Sequence, residues 1–136
     1  MNNTFVPNSS YRIRKWYVID ANERSLGRIS TVISNLIQGK HKPDYHPSVN
    51  MGDYIIIVNA DKIIYDISKV RYHVYSPGRP GRSLKRLHNC RPQKVLERSI
   101  KNMLPKGSRC LISNRVRIYN SSTHPHSAQN PILLKL

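Results

Sequence analysis

The 136-residue chain predicts an α/β domain, and three observations carry that expectation. A short aromatic and β-branched run, Trp16-Tyr17-Val18-Ile19, has the composition of a buried strand. Apolar residues at helical spacing follow it. Then comes a continuous apolar run, Tyr54-Ile55-Ile56-Ile57-Val58, which suits a strand covered on both faces. Strand, helix and strand in that order are the parts of a right-handed crossover unit.

Each element has its own warrant. Met1 to Ser10 has neither the basic-then-apolar design of a secretory signal nor an Arg-rich amphipathic pattern. Residues 1–14 therefore read as an N-terminal extension to a body spanning 15–120. Asp20 to Arg24 is a polar turn, and Ser25 is expected to cap the helix through its hydroxyl. Leu26, Ile29, Val32, Ile33, Leu36 and Ile37 lie on one helical face, and Gly39 is a natural stop. Ile63 to Ile67 and Val70 to Tyr75 read as two further extended pieces. Pro77-Gly78-Arg79-Pro80-Gly81-Arg82 can be neither helix nor central strand, so it is a loop.

Pro92 suits the first turn of a second helix. Val95, Leu96, Ser99, Ile100, Met103 and Leu104 supply its buried face, and Pro105 ends it. Arg115-Val116-Arg117-Ile118-Tyr119 alternates like a half-buried strand with its arginines facing away from the core. Asn120 to Leu136 reads as loop-like, and residues 121–136 as a C-terminal tail.

The charge points to a partner. Lys and Arg number 23 against 7 acidic residues, a formal net charge of +16. Residues 1–68 hold 8 basic and 6 acidic side chains; residues 69–136 hold 15 and 1. An excess of this kind repels itself unless a polyanion neutralises it. No apolar run approaches the roughly 18 to 20 residues of a membrane span. Two cysteines, Cys90 and Cys110, are too few for a disulfide scaffold and suit a reducing compartment.

Three Gly/Pro loops carry cations: Gly39-Lys40-His41-Lys42-Pro43, Pro77 to Lys85, and Pro105-Lys106-Gly107-Ser108-Arg109. Backbone free of bulky side chains can approach phosphate closely, and Arg beside it can pair bidentately. Shape and backbone contacts of this kind suit a folded RNA. No segment matches a P-loop or a dinucleotide-binding fingerprint.

His124-Pro125-His126 could reach one metal with His88, Cys90 or Cys110, but the paired spacing of zinc frameworks is absent. Contact with RNA bases and riboses, or a rigid capping loop packed on the body, are the two other readings of these histidines. Catalysis has little support. Asp20, Asp44, Asp53, Asp61 and Asp66 do not pair on one helix face, and no serine or cysteine stands in a nucleophile elbow.

Several of these segments, in order, resemble one family. They are Lys15-Trp16-Tyr17-Val18-Ile19-Asp20-Ala21, Leu26-Gly27-Arg28, Gly39 to Pro43, and Met51-Gly52-Asp53-Tyr54 through Lys62. Met103-Leu104-Pro105-Lys106 and His124-Pro125-His126-Ser127-Ala128-Gln129-Asn130-Pro131 continue the series. Together they resemble large-subunit ribosomal protein thirteen over about residues 4 to 131. Asn3-Thr4-Phe5-Val6-Pro7 resembles the cyanobacterial and plastid branch.

The resemblance implies a three-layer α/β/α single domain around a small, largely parallel four-stranded sheet, with basic loops and a C-terminal extension. It implies a structural role without cofactor or small-molecule substrate. The partners would be large-subunit rRNA, whose early assembly the family supports, and neighbouring ribosomal proteins. The place would be a plastid ribosome, or else the bacterial cytoplasm or another organelle. Carried over by position, the RNA-facing residues are Lys40, His41, Lys42, Arg79, Arg82, Lys85, Lys106, His124 and His126. Arg109, Arg115 and Arg117 lie in the same basic segment.

The chain departs from the family where a Thr-Gly-Lys-Lys stretch gives way to Tyr65-Asp66-Ile67-Ser68-Lys69. It departs again where a Tyr-Pro-Gly-Gly loop becomes Arg79-Pro80-Gly81-Arg82. Two other classes share parts of the pattern. A DNA-binding module would need a recognition helix rich in polar and basic residues, whereas the first helix has only Arg28 as a cation. A nucleic-acid enzyme would need the scattered aspartates to converge.

Overall fold

The computed structural model describes residues 5–8, 10, 13–66, 71–73, 84–86 and 92–136. Strand β1 (Trp16–Asp20) leads into helix α1 (Leu26–Gln38), which returns to strand β2 (Tyr54–Val58). The two strands pair in parallel from Trp16↔Tyr54 to Asp20↔Val58, as the crossover reading expects. Short β3 (Arg71–His73) and β4 (Leu84–Arg86) form a separate antiparallel pair. Helix α2 (Pro92–Met103), helix α3 (Leu111–Arg115), β5 (Val116–Ile118) and β6 (Ile132–Leu134) complete the chain. β5 joins β2 and β6 joins β1, both in parallel, so the main sheet has the order β5-β2-β1-β6.

Alternation along the strands divides the core. Ile19, Ile55 and Ile57 point into one cluster with Ile29, Ile33 and Ile37 of α1, Leu96 and Ile100 of α2, and Ile112 of α3. Val18, Ile56 and Val58 form a smaller cluster on the opposite face, packed against Trp16 and Tyr119. This explains the unbroken apolar run in β2, because every position of it needs cover. The small, parallel four-stranded sheet is thus as expected. Among the described residues, the helices contribute to the larger cluster only. The outer layer over Val18 and Ile56 is built by Trp16 and by Tyr119 after β5.

The ends of α1 show what local reading gets right and what it misses. Gly39 adopts φ 78°, and the N–H groups of Gly39 and Lys40 close on the carbonyls of Leu36 and Asn35. A Cβ at Gly39 would also stand 2.8 Å from the Met51 backbone. At the other end Ser25 is extended, yet its hydroxyl makes no capping hydrogen bond. Its backbone instead bridges Ile64, and Leu26 N–H donates to the Ile64 carbonyl at 3.1 Å. The piece expected to be extended from Ile63 to Ile67 makes, in its described residues 63–66, a single bridge, and it is preceded by a 3-10 turn at Ala60–Lys62. Asn59, at φ 56°, sets that turn.

Asp20 holds the turn from β1. Its Oδ1 accepts from Asn59 Nδ2 at 2.8 Å and from Asn22 N at 3.0 Å. The Asn59 hydrogen bond first, then that of Asn22, lowers the Asp20 pKa below its ordinary value. A lowered carboxylate pKa contributes stability above the unfolded value and loses it as pH falls through the folded one. Asp20 is exposed, so Asp20→Ala is expected to cost only about 0.5 kcal/mol at neutral pH. The deficit should shrink at acid pH, as the carboxylate takes up its proton. Thermal melts at neutral and at acid pH check this, and an equal deficit at both would refute it.

Three further expectations need correction. Met103 is 42% exposed rather than part of the buried face of α2, while Val95, Leu96 and Ile100 are buried. Asn120 to Leu136 is not simply loop. It contains a 3-10 turn at Ser127–Gln129 and strand β6, which pairs Tyr17↔Ile132 through Ile19↔Leu134. β6 has only three residues, too few to alternate visibly, and its order comes from the hydrogen-bonding edge of β1. Finally, Arg115 ends α3 and is only 4% exposed, so it does not face away from the core. The Pro77 to Lys85 loop lies outside the described residues apart from the backbone of Leu84 and Lys85 in β4.

Candidate nucleic-acid interface

The loop after α1 is built around one carboxylate. Asp53, at the entry to β2, is fully buried. Its Oδ1 accepts from Lys15 N at 2.9 Å and Lys42 Nζ at 2.7 Å. Oδ2 lacks a well-angled hydrogen bond and rests on His41 Nε2, 2.9 Å away. Lys42 Nζ also donates to Ile13 O at 2.7 Å and Met51 O at 2.9 Å. An ammonium has three protons, so these three acceptors use all of them. Lys42 is thereby a fastener of the loop, and exposed Lys40 is the cation that the loop presents. The Tyr17 ring meets His41 edge-on at 6.1 Å. Burial first, and then the Asp53 charge, raises the Tyr17 pKa.

Arg115 lies beneath the same loop. Its Nη1 donates to the Ile37 carbonyl at 3.2 Å, satisfying one of the last acceptors of α1. Burial, and then nearby Arg14, lowers its pKa from the ordinary guanidinium value.

The other candidates are spread along one run of chain. Lys106 is exposed on a 3-10 turn, Lys106–Ser108. Arg109 is half-buried, its Nε donating to Leu104 O at 3.3 Å. Arg117 is exposed at the centre of β5, opposite Ile56. His126 receives or gives a hydrogen bond at Nε2 with the Tyr119 hydroxyl, 2.8 Å away, and donates its N–H to His124 Nδ1 at 3.3 Å. Its ring also sits 5.6 Å from Trp16. The two histidines thus brace the tail against the sheet while remaining half-buried. Among the described residues no three His, Cys, Asp or Glu side chains converge as metal ligands. His88 and Cys90 lie outside the described residues, as do Arg79, Arg82 and the side chain of Lys85.

Two features escape sequence reading. One is Asp53, which reads as a strand-end residue but organises the loop. The other is the stacked pair Trp16 and Tyr54, 4.6 Å apart at 14°, placed together by the β1–β2 register. Both residues lie in runs already marked as strands, but their pairing is a cross-strand fact.

A parallel sheet with cation-bearing loops fits the ordered segments described above. Comparison with known proteins decides the family. The family model for ribosomal protein L13 matches residues 14–125, most of the chain. The chain belongs to the ribosomal protein L13 family. Large ribosomal subunit protein uL13c of Trieres chinensis is 47% identical over 135 residues, covering 98% of this chain and 97% of its own length. Large ribosomal subunit protein uL13 of Synechococcus elongatus is 37% identical, covering 100% and 95%. That of Chromohalobacter salexigens is 40% identical, covering 90% and 92%. The family model stops before β6, whereas these relatives extend through most of the chain. No helix among the described residues is long and apolar enough to cross a membrane.

Proposed function

We infer that this chain is a structural constituent of the large subunit of a bacterial-type ribosome, where it binds large-subunit rRNA and supports early assembly. The observation that carries this reading is full-length similarity to proteins named uL13 and uL13c. The chain's own physics supports it. The net charge is +16, and exposed Lys40 stands on a loop that Asp53 and Gly39 hold in place, so phosphate meets a preorganised cation there. The 47% identity to uL13c favours a plastid ribosome. The role is positional, with RNA and neighbouring ribosomal proteins as partners and no catalytic step.

Binding should be steeply salt-dependent. If ~6 to 8 phosphates are neutralised, log K should fall against log salt with a slope of about −4 to −7. Filter binding to an rRNA transcript across a salt series measures it, with duplex DNA as competitor. A slope near zero, or equal preference for the DNA, would refute the reading. Lys40→Glu with Lys106→Glu should flatten the slope by about 1.5 while leaving the circular dichroism spectrum unchanged, since both side chains are exposed.

A further inference from the structure

The fold brings together two loops that are remote in sequence. Residues 45–50, after α1, and residues 105–111, after α2, enclose a cleft of about 520 Å³. Its walls are mixed: Tyr45, Val49, Pro105 and Leu111 are largely apolar, and Asn50 and Ser108 are polar. Gln38 reaches it from the end of α1. The side chains of Gln38, Tyr45 and Asn50 make no hydrogen bond to other described residues, so their polar groups are available to a ligand. Exposed Lys106 stands in the chain between the lining residues Pro105 and Gly107, and Arg109 follows Ser108.

We propose that this cleft captures one unpaired nucleotide of the rRNA, its base lying between the Tyr45 and Leu111 walls. The proposal rests on the RNA-binding reading above and adds a specific subsite to it. A cleft of this size falls in the range of small-ligand pockets, with apolar walls and a few polar groups to orient what enters. Sequence-dependent RNA recognition favours splayed-out bases stacked on aromatic rings and hydrogen-bonded at their edges. Asn50 and Gln38 carry the amides that can read such an edge, and Lys106 and Arg109 supply charge for the flanking phosphates. A nucleotide already bulged from its helix would fit at least cost.

Two variants test the cleft. Tyr45→Ala removes the ring. Gly107→Leu puts a bulky side chain on the lining of the cleft, and a Cβ at Gly107 meets nothing within 4 Å, so the fold should tolerate it. Each should weaken binding to a full-length large-subunit rRNA transcript by about 5- to 100-fold, the loss of one base–aromatic stack. The salt slope should stay at the wild-type value, because no phosphate contact is removed. Tyr45→Phe should restore most of the affinity. Chemical probing should show one base protected by the wild type and reactive again with Gly107→Leu.

Folded variants that bind like the wild type, or a slope that flattens along with affinity, would overturn the nucleotide subsite alone. Should Tyr45→Ala fail to fold, Gly107→Leu decides. A wild type that does not bind the transcript would instead overturn the RNA-binding reading itself.

Discussion

Replacing Asp53 with alanine is expected to destabilise the protein by about 3–5 kcal/mol, the usual cost of removing one partner from a buried ion pair. Asp53 is fully buried and meets Lys42, His41 and the Lys15 amide together. Its removal leaves the half-buried Lys42 ammonium with two carbonyls and no counter-charge. The Lys15 N–H, which aligns the entry to β1, also loses its acceptor. For a chain of this size the loss corresponds to a fall in melting temperature of about 10–20 °C. Asp53→Asn keeps the shape and one acceptor, so it should fall between wild type and Asp53→Ala.

The same change should loosen the loop that presents Lys40. RNA affinity should therefore fall even below the melting transition. Thermal denaturation and binding at low temperature read the two effects separately. A melting shift under about 3 °C would mean that the cluster is solvated and contributes no more than a surface pair.

A single methyl group at Gly52 is the second large effect. A Cβ on that residue would land on the Ile37 carbonyl oxygen and on the Arg115 guanidinium. Neither can yield cheaply. The carbonyl belongs to the last turn of α1, and Arg115 is the buried donor that satisfies it. Asp53 N–H, next in the chain, donates to Leu36 O at 3.1 Å, so β2 cannot simply move away.

Gly52→Ala should therefore cost about 2.5–6 kcal/mol. Overpacking in a tight site accounts for about 1–3 kcal/mol of this. Disruption of a buried charge-assisted hydrogen bond accounts for the remainder, about 1.5–3 kcal/mol. Gly107→Ala serves as the internal control, because a Cβ there meets nothing within 4 Å. Denaturant titration should separate the two substitutions by at least 2 kcal/mol. Equal stability would show that α1 and β2 can part without penalty.

The sequence by itself determined the elements whose information is local. The three-and-four spacing from Leu26 to Ile37 made α1, because that spacing is one face of a helix. Gly39 ended it, because that position takes a left-handed conformation. The unbroken run of β2 announced a strand covered on both sides, and Pro92 opened α2 where it stands. The imbalance of charge, and the ordered segments shared with a ribosomal family, likewise needed no coordinates.

Tertiary structure decided which groups meet. Asp53 and Lys15 are 38 residues apart, and Arg115 and Ile37 are 78 apart. No local pattern shows that an arginine in a basic segment will turn inward to close a helix, or that one aspartate will hold a loop. β6 is ordered by the free edge of β1 rather than by its own three residues. The cleft between residues 45–50 and 105–111 exists only because the fold brings the segments after α1 and after α2 together. Periodicity and turn chemistry act between residues a few positions apart, and so are written in order along the chain. Charge neutralisation and packing act through space, where sequence distance carries no weight.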